Sequence, residues 1–596
     1  MSDLIYTLIL PTLFLGIFKI SSNLNGFLLG NKKNILTNTF CFLLIIVFFY
    51  LYVSYSFIFK LNTNLLLKIF LTIFFIFGLL NIYKIFRSKN YNDINVQLKL
   101  FFSKKTNIFI FTIFLLYVFA ALTPPADLDS LRYHLEIPKN IIEGRFYEKI
   151  TSDYAVIGSN EFLNYIGSLL NFQNTSSVLD VLILLFVYQS SNFLKKNYKI
   201  GSGNFSTLMI LICPYFVSLL TSQKLFLLPC YIVVFSYIYI NLKKGKLNFE
   251  EIILISTLNL FCLTVKFSFL FFIIVNLSLI LFYRKNFIQN LFLVIFFLFM
   301  LLLLLFPLFY IKYEVFKDPL VPLYIFSPEN SLWIHHFKEY MLNYDRPLNL
   351  INLLKLPINL IFPLNFDDLF KIFGFGAITL FLINYKNKNY FLLKTLLIFT
   401  SCVLITQNVQ IRWFLPILLI AIIYYNRSNK FHGIFRKLIY LQSIAIILVL
   451  FIFHYFAFPS LIADKFKNKY LEKFVSGYNI SHYLNKNFTN YNILSDIQTS
   501  YYFDNFTPIY YYKFQKARNP LFIRSLISKN DNYILVSREL PKIKEIISDD
   551  EICSSEILAK KFIFNNRAFY EKNYLIPVYF VKVNKRENNC KFTPFS

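Results

Sequence analysis

The most informative run of residues able to do acid–base chemistry lies at 127–136. Asp127, Asp129, Arg132, Tyr133, His134 and Glu136 come directly after Thr123-Pro124-Pro125. Pro cannot continue a helix, so the apolar run before it ends here. From Asp129 onward the spacing predicts a helix carrying Asp129, Arg132, Tyr133 and Glu136 on one face, at i, i+3, i+4 and i+7. Gly144 is the expected stop. A carboxylate in the first turn is favoured by the helix dipole. Just outside a membrane span it can serve as a general base, taking a proton from an acceptor hydroxyl while a phosphate leaves. The same residues also fit an ordinary surface helix with Asp129 as its N-cap. His134 fits either a site role or packing beside Tyr133.

Other candidates are scattered. Arg412, in Thr406–Pro416, falls at the outer end of an apolar run. An Arg there binds a lipid-linked phosphate through its fork, or snorkels to the interface. Lys266 and Lys224 sit between apolar runs, and each fits a turn or a phosphate contact. Asp180 lies inside an apolar run close to its outer end, so a functional intramembrane acid and a solvated interfacial one both fit. His335-His336 have no carboxylate at ligand spacing and read as loop histidines. Asp367-Asp368 read as the cap of a following helix.

Composition decides which kind of scaffold carries these groups. The 596 residues are 57% hydrophobic and 20% aromatic but only 15% charged, with 74 Phe, 42 Tyr and 14 Gly; mean hydropathy is +0.54. Soluble chains carry about 25% charged residues. An ordinary soluble enzyme, a disordered chain, a collagen and a disulfide scaffold are excluded. The reading is a mainly α, polytopic membrane protein with a soluble appendage. About 14 apolar runs approach the roughly 20 residues a span needs. They begin at 4–20 and end at 437–458, and include 205–220, 225–242, 250–265, 267–283, 369–385, 390–407 and 411–426. Net charge is +28, but the Lys and Arg clusters fall in alternate short loops, where they orient helices rather than bind nucleic acid. That side is cytoplasmic, leaving both termini and the loops 123–176 and 312–368 outside. Those two loops and the stretch after 459 hold 27 of the 32 Asp and Glu, so polar chemistry belongs on the external face.

Residues 459–596 read as a small extracytoplasmic α/β domain with strand-like runs at 492–496, 533–537 and 576–583. It has no glycine-rich phosphate loop and no GxSxG elbow. The expected division is an N-terminal transmembrane extension over 1–106, a transmembrane core over 107–458, and the tail. Of seven Cys, five lie in apolar runs as small hydrophobes. Cys553 and Cys590 fit either a disulfide or two free thiols. The Lys, Asn, Ile, Phe and Tyr bias throughout suggests an AT-rich genome, which carries no functional information; the expected location is a bacterial inner membrane.

The run Asp129-Ser130-Leu131-Arg132-Tyr133, with Gly144 beyond it, resembles the first external loop of GT-C superfamily glycosyltransferases. That superfamily includes protein O-mannosyltransferases and lipid A aminoarabinose transferases. Tyr133-His134-Leu135 and Pro138-Lys139 are similar to bacterial members. Ser130 stands where the pattern often has a second acid, a place Asp127 is left to fill. Glu161 resembles the second carboxylate at the loop's end. Lys317-Asp318-Pro319-Leu320-Val321-Pro322 partly matches the Gly-Asn-Pro-x-x-Pro of the second loop. Arg412-Trp413-Phe414-Leu415-Pro416 resembles the late Arg-aromatic-x-x-Pro.

The resemblance covers about 107–596. It implies an inverting transferase taking a polyprenyl-phosphate-linked sugar to an external hydroxyl on a lipid, glycan or protein. Asp129 would be the base or acceptor-positioning carboxylate, with Glu161, Asp127 and His134 at the acceptor site and Arg132 and Tyr133 in support. Arg412, Lys266 and Lys224 would neutralise the departing phosphate. No redox cofactor is needed, and a divalent cation at the loop carboxylates is left open. The rival readings are a polysaccharide polymerase or ligase, kept open by His335-His336 and Arg346, a transporter or flippase, and an inactive scaffold.

Overall fold

Runs of Phe, Leu and Ile with little Gly fold as helices, because each segment then satisfies its own backbone polar groups. The computed structural model describes residues 2–29, 34–61, 64–87, 101–147, 152–284, 286–321, 350–363, 366–382, 397–401, 411–425, 432–475, 477–487, 492–495, 501–502, 506–508, 533–537, 560–564 and 574–583. They are mainly α-helical. Among them, six helices are long and apolar enough to cross a membrane: Ile35–Ile58, Asn64–Lys84, Lys105–Leu122, Thr175–Tyr198, Phe287–Phe316 and His432–Leu461. Four shorter apolar helices accompany them, at Leu227–Lys243, Phe267–Tyr283, Leu369–Leu380 and Leu415–Tyr424.

Where an expected span falls short among the described residues, the reasons are local. The run 205–220 is two helices, Asn204–Leu211 and Pro214–Leu220. Pro214 has no N–H to give and cannot continue the first helix. The carbonyls freed at the break are taken by side chains: Tyr117 donates to Leu211 O at 2.7 Å and Gln442 Nε2 to Ile212 O at 2.8 Å. The run 369–385 begins as two 3-10 stretches, Phe366–Lys371 and Gly374–Leu380, rather than an α-helix. Gln442 also accepts from Phe375 N at 2.6 Å, so one side chain stitches both irregular stretches. Most of 390–407 lies outside the described residues.

The chain divides into two compact units. One comprises Met1–Thr123, Gly158–Tyr310 and Leu342–Phe458. The three N-terminal helices belong to it. Tyr50 and Tyr55 donate to the carbonyls of Leu304 and Leu303 at 2.7 and 2.9 Å. Those carbonyls bond outward just before Pro307, inside the long helix Phe287–Phe316.

The other unit comprises Pro124–Ile157, Ile311–Met341 and Pro459–Ser596. It gathers most of both long loops with the tail. Helices Asp464–Phe474 and Tyr478–Asn487 precede five strands. These are β1 (Asn492–Ser495), β2 (Phe506–Pro508), β3 (Tyr533–Ser537), β4 (Lys560–Phe564) and β5 (Tyr574–Val583), in the order β2-β1-β3-β5-β4. β1 pairs parallel with β2 and β3, and β5 pairs antiparallel with β3 and β4. Cys553 and Cys590 lie outside the described residues.

Candidate functional site

In the loop unit, the chain turns after Pro125 and Asp127 caps the turn that begins there. Its Oδ2 accepts from Ser130 N at 3.1 Å, three residues on, as an N-cap side chain does. Asp127 therefore takes the capping role that the spacing had offered to Asp129. Asp129 makes no side-chain cap bond.

Ser130–His134 is a π-helical turn, closed by Leu135 N donating to Ser130 O at 2.9 Å. The expected single α-helix is thus corrected. One extra residue is accommodated in the turn, and the common face at i, i+3, i+4 and i+7 is lost. Burial shows the consequence: Asp129, Arg132, Tyr133 and His134 are half-buried, while Glu136 is 6% exposed and faces inward. Single π turns are rare and recur at functional sites. The Tyr133 and His134 rings lie 4.1 Å apart, centroid to centroid, at 48°.

Regular α-helix resumes over Glu136–Ile142. It ends as expected at Gly144, whose φ of +70° suits glycine. Gly144 N donates to Ile141 O at 3.2 Å and Arg145 N to Asn140 O at 2.9 Å, the paired bonds of a Schellman stop. Lys139 ties this helix to the tail. Its Nζ donates to Tyr501 O at 2.7 Å and lies 5.4 Å from the centre of the Tyr501 ring. Burial pushes the neighbouring Tyr502 phenol well up, so it stays neutral. In the second loop Asp318 forms a tight turn, its Oδ1 accepting from Leu320 N at 3.0 Å. Lys312 Nζ donates to Val321 O at 2.8 Å.

The spanning unit brings Glu161, Lys224 and Lys266 into one polar cluster, together with Asp180. Glu161 is 1% exposed, and its Oε2 accepts from Gly158 N at 2.6 Å, capping helix Ser159–Leu169. A side chain at Gly158 would lie 2.6 Å from Thr264 O, so this helix start presses on the end of helix Phe249–Val265. Lys266 follows that end in extended conformation, with Nζ 5.0 Å from the centre of the Phe226 ring. Lys224 is half-buried in the turn before Phe226.

Asp180 is 0% exposed. A solvated interfacial carboxylate is excluded. It accepts from Phe226 N at 3.5 Å, and the amides of Leu227 and Leu228 lie beside it.

The sequence reading missed the neutral side chains that hold this cluster. Ser176 Oγ lies 2.7 Å from both Asn160 Oδ1 and Asn164 Oδ1. Gln223 Oε1 accepts from Ser176 N at 3.2 Å, Gln223 Nε2 donates to Ser177 Oγ at 2.6 Å, and Asn160 Nδ2 donates to Gln223 O at 2.8 Å. The available signal was a run of Asn, Ser and Gln at the ends of three apolar segments. Arg412 belongs to a 3-10 turn, Ile411–Phe414, but its side chain lies outside the described residues, as do His335, His336, Arg346 and the side chains of Asp367 and Asp368. Among the described residues no group of three or more His, Cys, Asp or Glu is arranged to hold a metal ion.

No protein-family model matches the chain, and comparison with curated proteins and with solved structures gives no match.

Proposed function

We propose that the chain is an integral-membrane inverting glycosyltransferase that moves a sugar from a polyprenyl-phosphate donor to an extracytoplasmic acceptor hydroxyl. The observation that carries the reading is the π turn after helix Lys105–Leu122, where Asp127 does the capping and Asp129 stays half-exposed. In the proposed reaction Asp129 takes the proton of the acceptor hydroxyl. The hydroxyl oxygen forms a bond to the anomeric carbon as that carbon's bond to the phosphate oxygen breaks. The phosphate leaves with the electron pair. The reading assigns Lys224, Lys266 and Arg412 to that phosphate, and Arg132, Tyr133 and His134 to the acceptor. Glu161 shapes its surroundings as a cap. The acceptor is a glycan, lipid or protein at the membrane, and no nucleic acid is involved. The unit of loops and tail is then an extracytoplasmic appendage of α/β type on a bacterial inner-membrane protein.

The transporter reading gains one observation, the break at 212–213 within an apolar run. Broken helices mark substrate sites in transporters where they line a cavity. Here Tyr117 and Gln442 fill the freed carbonyl positions, which fits a packed kink better than a pathway.

The test is sugar transfer in proteoliposomes from a panel of radiolabelled polyprenyl-phosphate sugars. Wild type is expected to transfer from at least one donor, and Asp129→Asn to lose on the order of 10²–10⁴-fold, the usual weight of a general base. Equal transfer by both would remove Asp129 from the chemistry.

A further inference from the structure

A buried acid within the spanning unit has no part in the reaction written above. Asp180 is 0% exposed in helix Thr175–Tyr198. Intramembrane carboxylates are costly and tend to be kept for function. A neutral side chain would satisfy one amide at lower cost. The surroundings of Asp180 say what its charge does.

One face of helix Thr175–Tyr198, carrying Ser176, Ser177 and Asp180, grips the turn 222–226 from inside. Near the start of the turn the grip is neutral. Ser177 Oγ donates to Ser222 O at 2.9 Å, and the Gln223 side chain bonds Ser176 and Ser177. At the far end it is charged, with Asp180 Oδ2 accepting from Phe226 N, next to the amides that open helix Leu227–Lys243. The N-terminus of a helix favours a negative charge. Lys224 sits between the two grips. The ring of Phe226, whose amide Asp180 holds, carries the Lys266 ammonium 5.0 Å from its centre. Asp180 and Lys266 both act electrostatically on buried Cys230, which places them in one neighbourhood.

We infer that Asp180 is a positioning residue. It fixes the far end of the turn 222–226, and so sets where Lys224 and Lys266 stand to receive the phosphate of the donor. The inference rests on the assignment of those lysines to the donor phosphate.

Two readouts on the full chain in proteoliposomes test it. In the first, Lys224→Cys is labelled with a membrane-impermeant maleimide, with and without Asp180→Asn, the rate without Lys224→Cys serving as background. A turn released at one end is expected to change the labelling rate by about fivefold or more. Rates within about twofold overturn the inference. This readout needs no transfer. In the second, Asp180→Asn is expected to raise the donor KM about tenfold with kcat within about threefold. A fall in kcat at unchanged KM, or no change in either, overturns it. Should Asp180→Asn not fold, Asp180→Ser takes its place in both. Absence of transfer by wild type would count against the transferase reading, and the labelling result then decides the role of Asp180 alone.

Discussion

Helix Leu227–Lys243 has a buried carboxylate at each end, and the two are held in different ways. At its N-terminus Asp180, 0% exposed, lies against backbone amides. At its C-terminus Glu251, 1% exposed, is ringed by partners. Tyr239 OH donates to it at 2.5 Å, Lys243 Nζ at 3.1 Å and Asn248 N at 2.9 Å. Each carboxylate faces a helix N-terminus, which favours an anion: Asp180 that of Leu227–Lys243, and Glu251 that of its own helix Phe249–Val265, where it caps the first turn. Glu251 also stands at the C-terminus of Leu227–Lys243, which disfavours an anion, and there the Lys243 cation and the Tyr239 hydroxyl of that helix offset it. The basic end of the bundle is therefore a closed structural ion pair. At the other end the carboxylate faces backbone amides, and the two lysines of its neighbourhood are half-buried beside polar turns. On the proposed reading, that difference separates an end built for stability from an end that receives the donor phosphate.

The largest expected effect breaks the closed end. Lys243→Ala leaves the Glu251 charge buried without its cation and should cost about 3–5 kcal/mol, read as a lower melting temperature in detergent. A loss under about 1 kcal/mol would mean that Tyr239 and Asn248 suffice on their own. Asp180→Asn, at the open end, removes the charge that faces the backbone amides and puts an amide N–H among donors, but leaves no buried charge behind, so it should move melting by less; its marks are the Lys224→Cys labelling rate and the donor KM.

Smaller effects belong to the loop unit. Gly144→Ala places a side chain at φ +70° and should cost about 1–2 kcal/mol, seen as earlier unfolding of this unit by hydrogen exchange. Lys139→Met removes the bond to Tyr501 O and its ring contact while keeping the aliphatic stem, and should cost about 1 kcal/mol. Hydrogen exchange is expected to rise over Glu136–Ile142, and unchanged protection there would deny Lys139 its anchoring role.

The sequence was most legible where local pattern and final environment agree. Gly144 marked the helix stop, and β1, β3 and β5 stood out as apolar runs. The strands missed, β2 and β4, are the two edges of the sheet. β2 has three residues and ends in Pro508, and β4 opens on Lys560-Lys561. Short, charged or proline-bearing strands are how edges resist further pairing, and the same features hide them from a hydrophobic pattern. The π turn was not legible, since Ser130–His134 has no composition distinct from an α-helical turn. Asp180 was left open between two readings for a different reason. Its nearness to a span end suggested water, and nothing local announces that residues 222–226 fold over it. Some expected spans fall short among the described residues because apolar length was equated with helix length. Pro214 and the 3-10 stretches after 366 show where backbone irregularity is absorbed by Tyr117 and Gln442 instead.

The central claim divides two neighbouring carboxylates into a cap and a base, and one paired measurement tests it: transfer rate and melting temperature for Asp127→Asn and Asp129→Asn, side by side in the full chain. The account predicts that Asp129→Asn melts like wild type and loses transfer by on the order of 10²-fold or more. It predicts that Asp127→Asn stays within about tenfold of the wild-type rate and differs mainly in stability, by about 1 kcal/mol or less, since Asn still caps. Transfer that survives in Asp129→Asn and collapses in Asp127→Asn would contradict the assignment.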